Sequence, residues 1–405
     1  MEINNLLVSP NVYIAPIKIV KQSEEFSATK ISEGAQLEWK GSPKNMDNKL
    51  HTICSYMAMF PPSVPNHFIK KYSKIGDLVL DTFSGRGTTV LEACMEGRIG
   101  IGNDLSPLAF LLTKTKCNVP LKSTVIRRII QLQREFTKNE YKIDISNEEP
   151  NIRMIFHDHT LRQLVFLKKE LEWKKSNVDA FVATLVEGIL HGGSEGYLSL
   201  SMPNTFSMAP NYVKNYIAQH GLIKPKRETF DLLLRKLERC YQRPWQKGIA
   251  YRQDARNIKN IKDSCIDLII TSPPYLRVIK YGKFNWIRVW FLGEDCDDVD
   301  QSLFFSQSLN RYCEFMTEIL KEMQRVLKPK AKAVLVIGDV KDRFSSRVDN
   351  LAEHVWERCA HPLGFKLVEP IIEDVISDEN KVSKIWGKKR GNATKIDRIL
   401  VLKKD

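Results

Sequence analysis

Leu78-Val79-Leu80-Asp81-Thr82-Phe83-Ser84-Gly85-Arg86-Gly87-Thr88-Thr89 runs from a short apolar strand through a glycine turn into a helical stretch at 90–96. That order brings backbone N–H groups and a helix N-terminus against a ligand. A second strand, 98–102, ends at Asn103-Asp104, where an acidic side chain is placed to accept hydrogen bonds from a ribose diol. A dinucleotide-binding turn is the competing explanation, but its pattern calls for a third glycine where Val90 stands.

A second informative stretch lies about two hundred residues on. The apolar run Ile266-Asp267-Leu268-Ile269-Ile270 leads into Thr271-Ser272-Pro273-Pro274-Tyr275. It reads as a buried strand closed by a rigid turn, because two adjacent prolines fix φ and remove two backbone donors. A serine hydroxyl, a proline carbonyl and a tyrosine ring make a socket for a planar base with an exocyclic amine. Taken alone, the tetrapeptide is equally a Pro-Pro turn that ends a strand.

Both stretches together resemble the S-adenosylmethionine-dependent amino-methyltransferases of DNA. Their signatures are Asp-Pro-Phe-x-Gly-x-Gly-Thr-Thr and Ser/Asp/Asn-Pro-Pro-Tyr/Phe. Thr82 stands here for a common proline and Arg86 for a residue that is often small; the Arg86 side chain is free to point to solvent. The resemblance implies a doubly wound, mostly parallel α/β sheet of the Rossmann-like methyltransferase type. It also implies S-adenosylmethionine as cofactor, held by Asp81, Phe83, Ser84, Gly85, Gly87, Thr88, Thr89 and Asp104. In such enzymes an Asp at the position of Asp254 accepts from the adenine amine. A His, a Tyr and a Phe-Pro-Pro segment, matched here by His51, Tyr56 and Phe60-Pro61-Pro62, wall the methionine end. Ser272, Pro273, Pro274 and Tyr275 become the catalytic turn. Serine at its first position is usual in the cytosine-N4 branch, whereas adenine-N6 enzymes more often carry Asp or Asn.

The remaining chain extends this pattern. A helix is expected at 312–326, a buried strand at 333–339, and closing strands at 365–372 and 399–402. Between the two halves, 118–248 is largely helical, with apolar periodicity at 125–136, 161–173, 181–190 and 230–241. The division expected is 1–117 for the cofactor half, 118–248 for the insert and 249–405 for the catalytic half. Glycine-rich and irregular sequence fills 191–212, and Lys214, Lys224, Lys226 and Arg227 follow, making the insert the candidate DNA reader. A helical cap or dimer contact is the bland alternative. After the Pro-Pro turn, basic residues interleave with aromatics over 276–286. There Lys280 is a candidate phosphate contact, although Trp286, Val289, Trp290, Phe291 and Leu292 equally suit a helix docked on the core. Lys388, Lys389 and Arg390 form a further cationic loop. The acidic run at 294–300 reads as a solvated turn.

The chain has 405 residues and a net charge of +14, from 62 Lys+Arg against 48 Asp+Glu. That balance favours double-stranded DNA as partner over a membrane. No apolar run reaches spanning length, no signal-peptide pattern opens the chain, and the eight cysteines form no C-x-x-C pair; a reduced, cytoplasmic protein is expected. His157-Asp158-His159 lacks a third ligand, so no metal site is expected. None of the cysteines follows a proline, which argues against a cytosine carbon-5 nucleophile. A cognate restriction endonuclease is the partner that a site-specific DNA methyltransferase implies. Two other classes stay open: an RNA amino-methyltransferase with the same turn, and a nucleic-acid-binding protein that keeps the fold without catalysis.

Overall fold

The computed structural model describes residues 37–39, 48–56, 61–202, 209–276, 280–341, 348–375 and 396–405. Five parallel strands form its centre: β1 (Leu78–Asp81), β2 (Ile99–Asn103), β3 (Ile249–Tyr251), β4 (Ile266–Thr271) and β5 (Leu327–Gly338). β6 (Val340–Lys341) and β7 (Val348–Asp349) make a separate hairpin, and β8 (Lys366–Leu367), β9 (Ile372–Val375) and β10 (Ile396–Lys403) complete the main sheet. Its order is β3-β2-β1-β4-β5-β10-β8, with β9 also pairing β10. β10 runs antiparallel to β5, and β8 and β9 antiparallel to β10. The single strand expected over 365–372 is therefore two short ones. Pro370 lies between them and cannot donate to the ladder.

Alternation decides which face each strand residue buries. Leu80, Ile269, Leu335, Ile337 and Leu400 pack with α13 (Leu309–Val326) and α14 (Leu351–Val355). Their neighbours Val79, Leu268, Ile270, Val334, Val336 and Ile399 pack with α1 (Ser63–Tyr72) on the other side. Both faces are covered, so these strands read as continuous apolar runs rather than alternating ones. Leu-Lys-Pro at 327–329 lies inside β5 rather than in a turn before it: the ladder to β4 shifts register between Ile266 and Leu268, and Lys330 has φ 65°.

α2 (Thr88–Met95) and α3 (Pro107–Cys117) follow β1 and β2. Residues 118–248 hold α4 (Lys122–Asn139), α5 (Pro150–Ile155), α6 (Asp158–Glu170), α7 (Asn177–Glu187), α8 (Pro210–His220) and α9 (Thr229–Cys240), with no strand among the described residues before β3. This helical layer does not close a core of its own. Phe136, Phe156, Leu164, Phe181 and Leu233 join one buried cluster with Leu50 and Ile53, with Leu108 and Leu112 of α3, and with Trp286 and Trp290. α8 was not legible, because Val213 is its one buried residue and Pro210 at its first turn follows sequence that reads as loop. The irregular stretch thus stops before Pro210, not at 212. Past β4 come α10 (Tyr281–Phe284), α11 (Trp286–Phe291) and α12 (Cys296–Ser302). Trp286, Trp290 and Phe291 are buried, so these aromatics are core and do not grip a phosphate backbone. Among the described residues no helix is long and apolar enough to cross a membrane.

Candidate active site

The chain winds from β1 outward to β2 and β3, then returns to lay β4 and β5 on the other side. Between β1 and β4 it leaves the crevice where open α/β sheets bind ligands, outside the strands' carboxyl ends. A cavity of about 380 Å³ opens there, within the range of small-molecule sites. It is lined by the ends of β1, β2, β3 and β4: Thr82 and Phe83, Asn103 and Asp104, Gln253 and Asp254, and 272–275.

The glycine loop is shaped by two left-handed residues, Gly85 (φ 50°) and Gly87 (φ 75°), the latter so close to α3 that a Cβ would sit 3.0 Å from Thr113 Cα. Asp104 organises its inner side. Its Oδ2 accepts from Gly85 N at 2.9 Å, and its Oδ1 from Ser106 N at 2.9 Å. Burial pushes this carboxyl up to about 6 in spite of the backbone donors around it. Arg86 does not face solvent. Its Nη1 donates to His51 O at 3.3 Å and its Nε to Thr88 Oγ1 at 3.0 Å. Behind it, the wholly buried Lys116 donates Nζ to Arg86 O at 2.6 Å.

Of the residues expected around the cofactor, Tyr56, Phe83, Gly85, Asp104 and Asp254 line the cavity. Asp81, Ser84, Gly87, Thr88 and Thr89 are buried and act from behind it. Asp81 Oδ1 accepts from Thr271 Oγ1 at 2.6 Å and from Phe83 N at 3.2 Å, while Ser84 Oγ pairs with Thr113 Oγ1 at 2.9 Å. These are struts, and Thr271 is the one that ties the glycine loop to the Pro-Pro turn; the sequence reading set it at the head of that turn and gave it no role. Asp254 stands on the wall, but Arg256 engages both its oxygens, through Nε at 3.0 and 3.1 Å and Nη2 at 2.6 Å, and holds its carboxyl below the usual range. Asn103 sets that segment by a reciprocal pair with Gln253, Nδ2 donating to the carbonyl at 2.9 Å and Oδ1 accepting from N at 3.1 Å.

In the Pro-Pro turn, Ser272 Oγ and Tyr275 Oη lie 3.1 Å apart, and burial keeps the Tyr275 phenol protonated far above its ordinary range. Tyr281 stacks on Tyr56 with centroids 6.1 Å apart and closes the cavity beside Ser272. Leu303, Phe304, Phe305 and Phe315 also line the cavity, with Phe304 stacked on Phe315 at 3.9 Å. No motif marks this wall, because its residues come from a loop after α12 and the interior of α13.

The acidic run is not a passive turn. Asp300 accepts from Gly282 N at 2.7 Å and Lys283 N at 3.2 Å, which fixes α10 and thereby Tyr281. Glu294 pairs with Arg252 at 2.7 Å, and Asp295 caps α12. Gly282 packs so tightly here that a Cβ would come within 2.2 Å of Cys296 O. Gly282→Ala is therefore expected to cost about 1–3 kcal/mol of stability, read by denaturant unfolding, because backbone must move. An unchanged midpoint would show that α10 and α12 separate freely.

Among the candidate phosphate contacts, Lys214 and Lys280 are exposed. Lys224 is engaged by Asp158 at 3.4 Å and Arg153 O at 3.1 Å, and Lys226 by Glu228 at 3.7 Å. Arg227 is half-buried, with Nε enclosed in protein and its backbone bonded to Thr160 on both sides. Lys224 and Lys226 thus hold surface ion pairs within the insert. Lys388, Lys389 and Arg390 lie outside the described residues.

A family model described as DNA methylase matches residues 17–114 and 266–397. The Type II methyltransferase M.MjaII of Methanocaldococcus jannaschii is 30% identical over 86% of this chain and 82% of its own length. M.MvaI of Kocuria varians is 24% identical over 63% and 60%. Among solved structures, an S-adenosylmethionine-dependent methyltransferase from Methanosarcina mazei covers 86% of this chain and 99% of its own, at 11% identity and a TM-score of 0.35. TTHA0409 from Thermus thermophilus, solved with S-adenosyl-L-methionine, covers 37% and 53% at 22% identity and a TM-score of 0.24. With over half of its residues inside the family match and a 30% identical relative aligned along most of both chains, this chain belongs to the DNA methylase family, the S-adenosylmethionine-dependent methyltransferases of cytosine N4 and adenine N6.

Proposed function

We propose that this DNA methyltransferase acts on the exocyclic N4 amine of cytosine in duplex DNA, in the cytoplasm, as the modification partner of a restriction endonuclease that cuts the same site. The observation that carries the acceptor is Ser272 beside Tyr275, at 3.1 Å, on the wall of the cavity that Asp104 and Gly85 also line. Type II naming of the curated relatives supports the restriction context.

The donor fits these residues. Asp104, a part-buried carboxylate just after β2, suits a ribose diol; Tyr56 and Tyr281 would wall the methionine end of the donor, and Phe304, Phe315 and Asp254 its adenine end. The carboxylate of Asp254 would hold the adenine amine once Arg256 released one of its oxygens. S-adenosylmethionine supplies the methyl group as an electrophile on a positively charged sulfur.

A base amine is a poor nucleophile, because its lone pair is delocalised into the ring. With Tyr275 donating to Ser272 Oγ, that oxygen keeps a lone pair for one amine hydrogen, and the Pro273 carbonyl takes the other. Together they turn the nitrogen toward tetrahedral geometry and aim its lone pair. The Tyr275 ring offers a face to the extrahelical base in exchange for the stacking lost from the duplex. No strong base is needed, since the amine sheds its proton after it has gained the methyl group. The 118–248 layer is the unit we assign to target recognition.

The test is to incubate purified protein with methyl-labelled donor and duplex DNA and identify the modified nucleoside by mass spectrometry. N4-methylcytosine is expected. N6-methyladenine would overturn the choice of base, and label found only in RNA would overturn the choice of substrate.

A further inference from the structure

α8 is the least core-bound of the long helices. Asn211, Lys214, Asn215, Ala218 and Gln219, at three- and four-residue spacing, are all exposed and form one stripe. The opposite face holds the buried Val213 and the half-buried Tyr216 and Ile217. Solvent-facing helix surfaces usually mix Lys, Arg, Glu and Asp, which favour helix and solubility. This stripe instead carries three amides, one cation and a small residue, and the side-chain amides make no hydrogen bond among the described residues.

Charge points the same way. No Asp or Glu occurs from Gly196 to Arg227, in a chain that has 48 of them. The α8 stripe itself carries no carboxylate, the nearest acidic partners of the segment being Asp158 and Glu228 on Lys224 and Lys226 beyond its C-terminus, and Lys214 stands inside the stripe to meet a phosphate. Past the C-cap, Gly221 in the left-handed region turns the chain, and Ile223 is left 88% exposed. A major groove admits an α-helix, and Asn and Gln amides are the side chains that pair in two-point fashion with adenine, while apolar groups meet thymine methyls.

We infer that α8 enters the major groove of the target duplex and reads base edges through Asn211, Asn215 and Gln219, with Lys214 anchoring the backbone. The inference rests on the assignment of the 118–248 layer to target recognition. It is tested by mapping methylated positions, by single-molecule sequencing, on DNA of many sequences treated with wild-type protein, Asn211→Ala, Asn215→Ala, Gln219→Ala and the triple variant. At least one single variant is expected to relax the motif at one or two positions, with discrimination there falling about 10- to 100-fold. Donor affinity should stay unchanged. Lys214→Ala should weaken duplex binding about equally on all sequences and reduce the salt slope by about 1.

An unchanged motif and unchanged rates in all four amide variants would overturn the role of α8, while wild-type methylation of a defined motif would leave the enzyme assignment standing. Loss of self-association with an unchanged motif would likewise overturn it and make α8 a contact between copies. Absence of any methyl group on DNA with wild-type protein would remove the proposed function and this inference with it. Donor binding by the single variants, whose altered side chains are all exposed, reports that the fold is intact.

Discussion

Ser272→Ala is expected to slow methyl transfer by about 10²- to 10³-fold at saturating donor and DNA, the scale seen when one preorganised hydrogen-bonding group is removed from a reacting centre. Donor affinity should stay within about twofold, because the serine belongs to the turn after β4 and not to the glycine loop. Its hydroxyl pairs with Tyr275 Oη at 3.1 Å, within that same turn. Ser272 is only part-buried, so stability should move by no more than about 0.5 kcal/mol. Single-turnover kinetics separates these terms from DNA binding and product release. Tyr275→Phe is the companion measurement, since it keeps the ring face and deletes only the hydroxyl. A single-turnover rate equal to wild type in Ser272→Ala would take Ser272 out of the reacting centre.

Asp104→Ala carries the second large effect, a loss of donor affinity of about 100-fold or more. The variant removes a charged acceptor, whose hydrogen bonds contribute about 1.5–3 kcal/mol each. It also releases Gly85 N and Ser106 N, both held at 2.9 Å. The same residue gives wild-type binding a pH dependence. Burial raises the Asp104 carboxyl from an ordinary 3.8 to about 6. The ionised form accepts from the ribose diol, so affinity should be level well above about pH 6 and fall as pH drops through it, by up to about tenfold per unit below. For folding the sign is opposite. A carboxyl whose folded pKa is raised favours the folded state most below its unfolded value, and that contribution is lost as pH rises through about 6. Removing the carboxyl at neutral pH relieves a desolvated charge and so offsets the loss of the acceptor for Gly85 N and Ser106 N; the variant should lose donor binding without a matching fall in its unliganded melting point. Calorimetric titration from about pH 8 to about pH 5 checks the wild-type trend. A flat affinity profile would show that Asp104 does not meet the donor as a carboxylate.

How much of this was legible follows from what each residue answers to. The glycine turn and the Pro-Pro turn could be read because their chemistry is local: Gly85 and Gly87 adopt backbone angles that few residues tolerate, and Pro273-Pro274 fixes its own φ. Largely apolar runs at 78–80, 266–270 and 333–339 announced strands covered on both faces. α13 was visible because its apolar residues repeat at helical spacing against one wall of the core. α8 was not, because it buries a single side chain wholly and so leaves no periodic trace.

The wall of the cavity shows the other limit. Phe304 and Phe315 meet face to face at 3.9 Å, Asp300 holds the amides of Gly282 and Lys283, and Thr271 spans to Asp81, none of them through neighbours in sequence. Arg86 would pass for a surface cation, yet it turns back to His51. Local backbone preference and hydrophobic period are written residue by residue, and together with the resemblance to the DNA amino-methyltransferases they were enough for the class of fold and the methyl donor. Partners across the sheet are chosen only when the strand order brings distant segments to the same carboxyl edge. That is why the struts behind the glycine loop, the aromatic wall and the commitment of each charged side chain were decided by the tertiary structure alone.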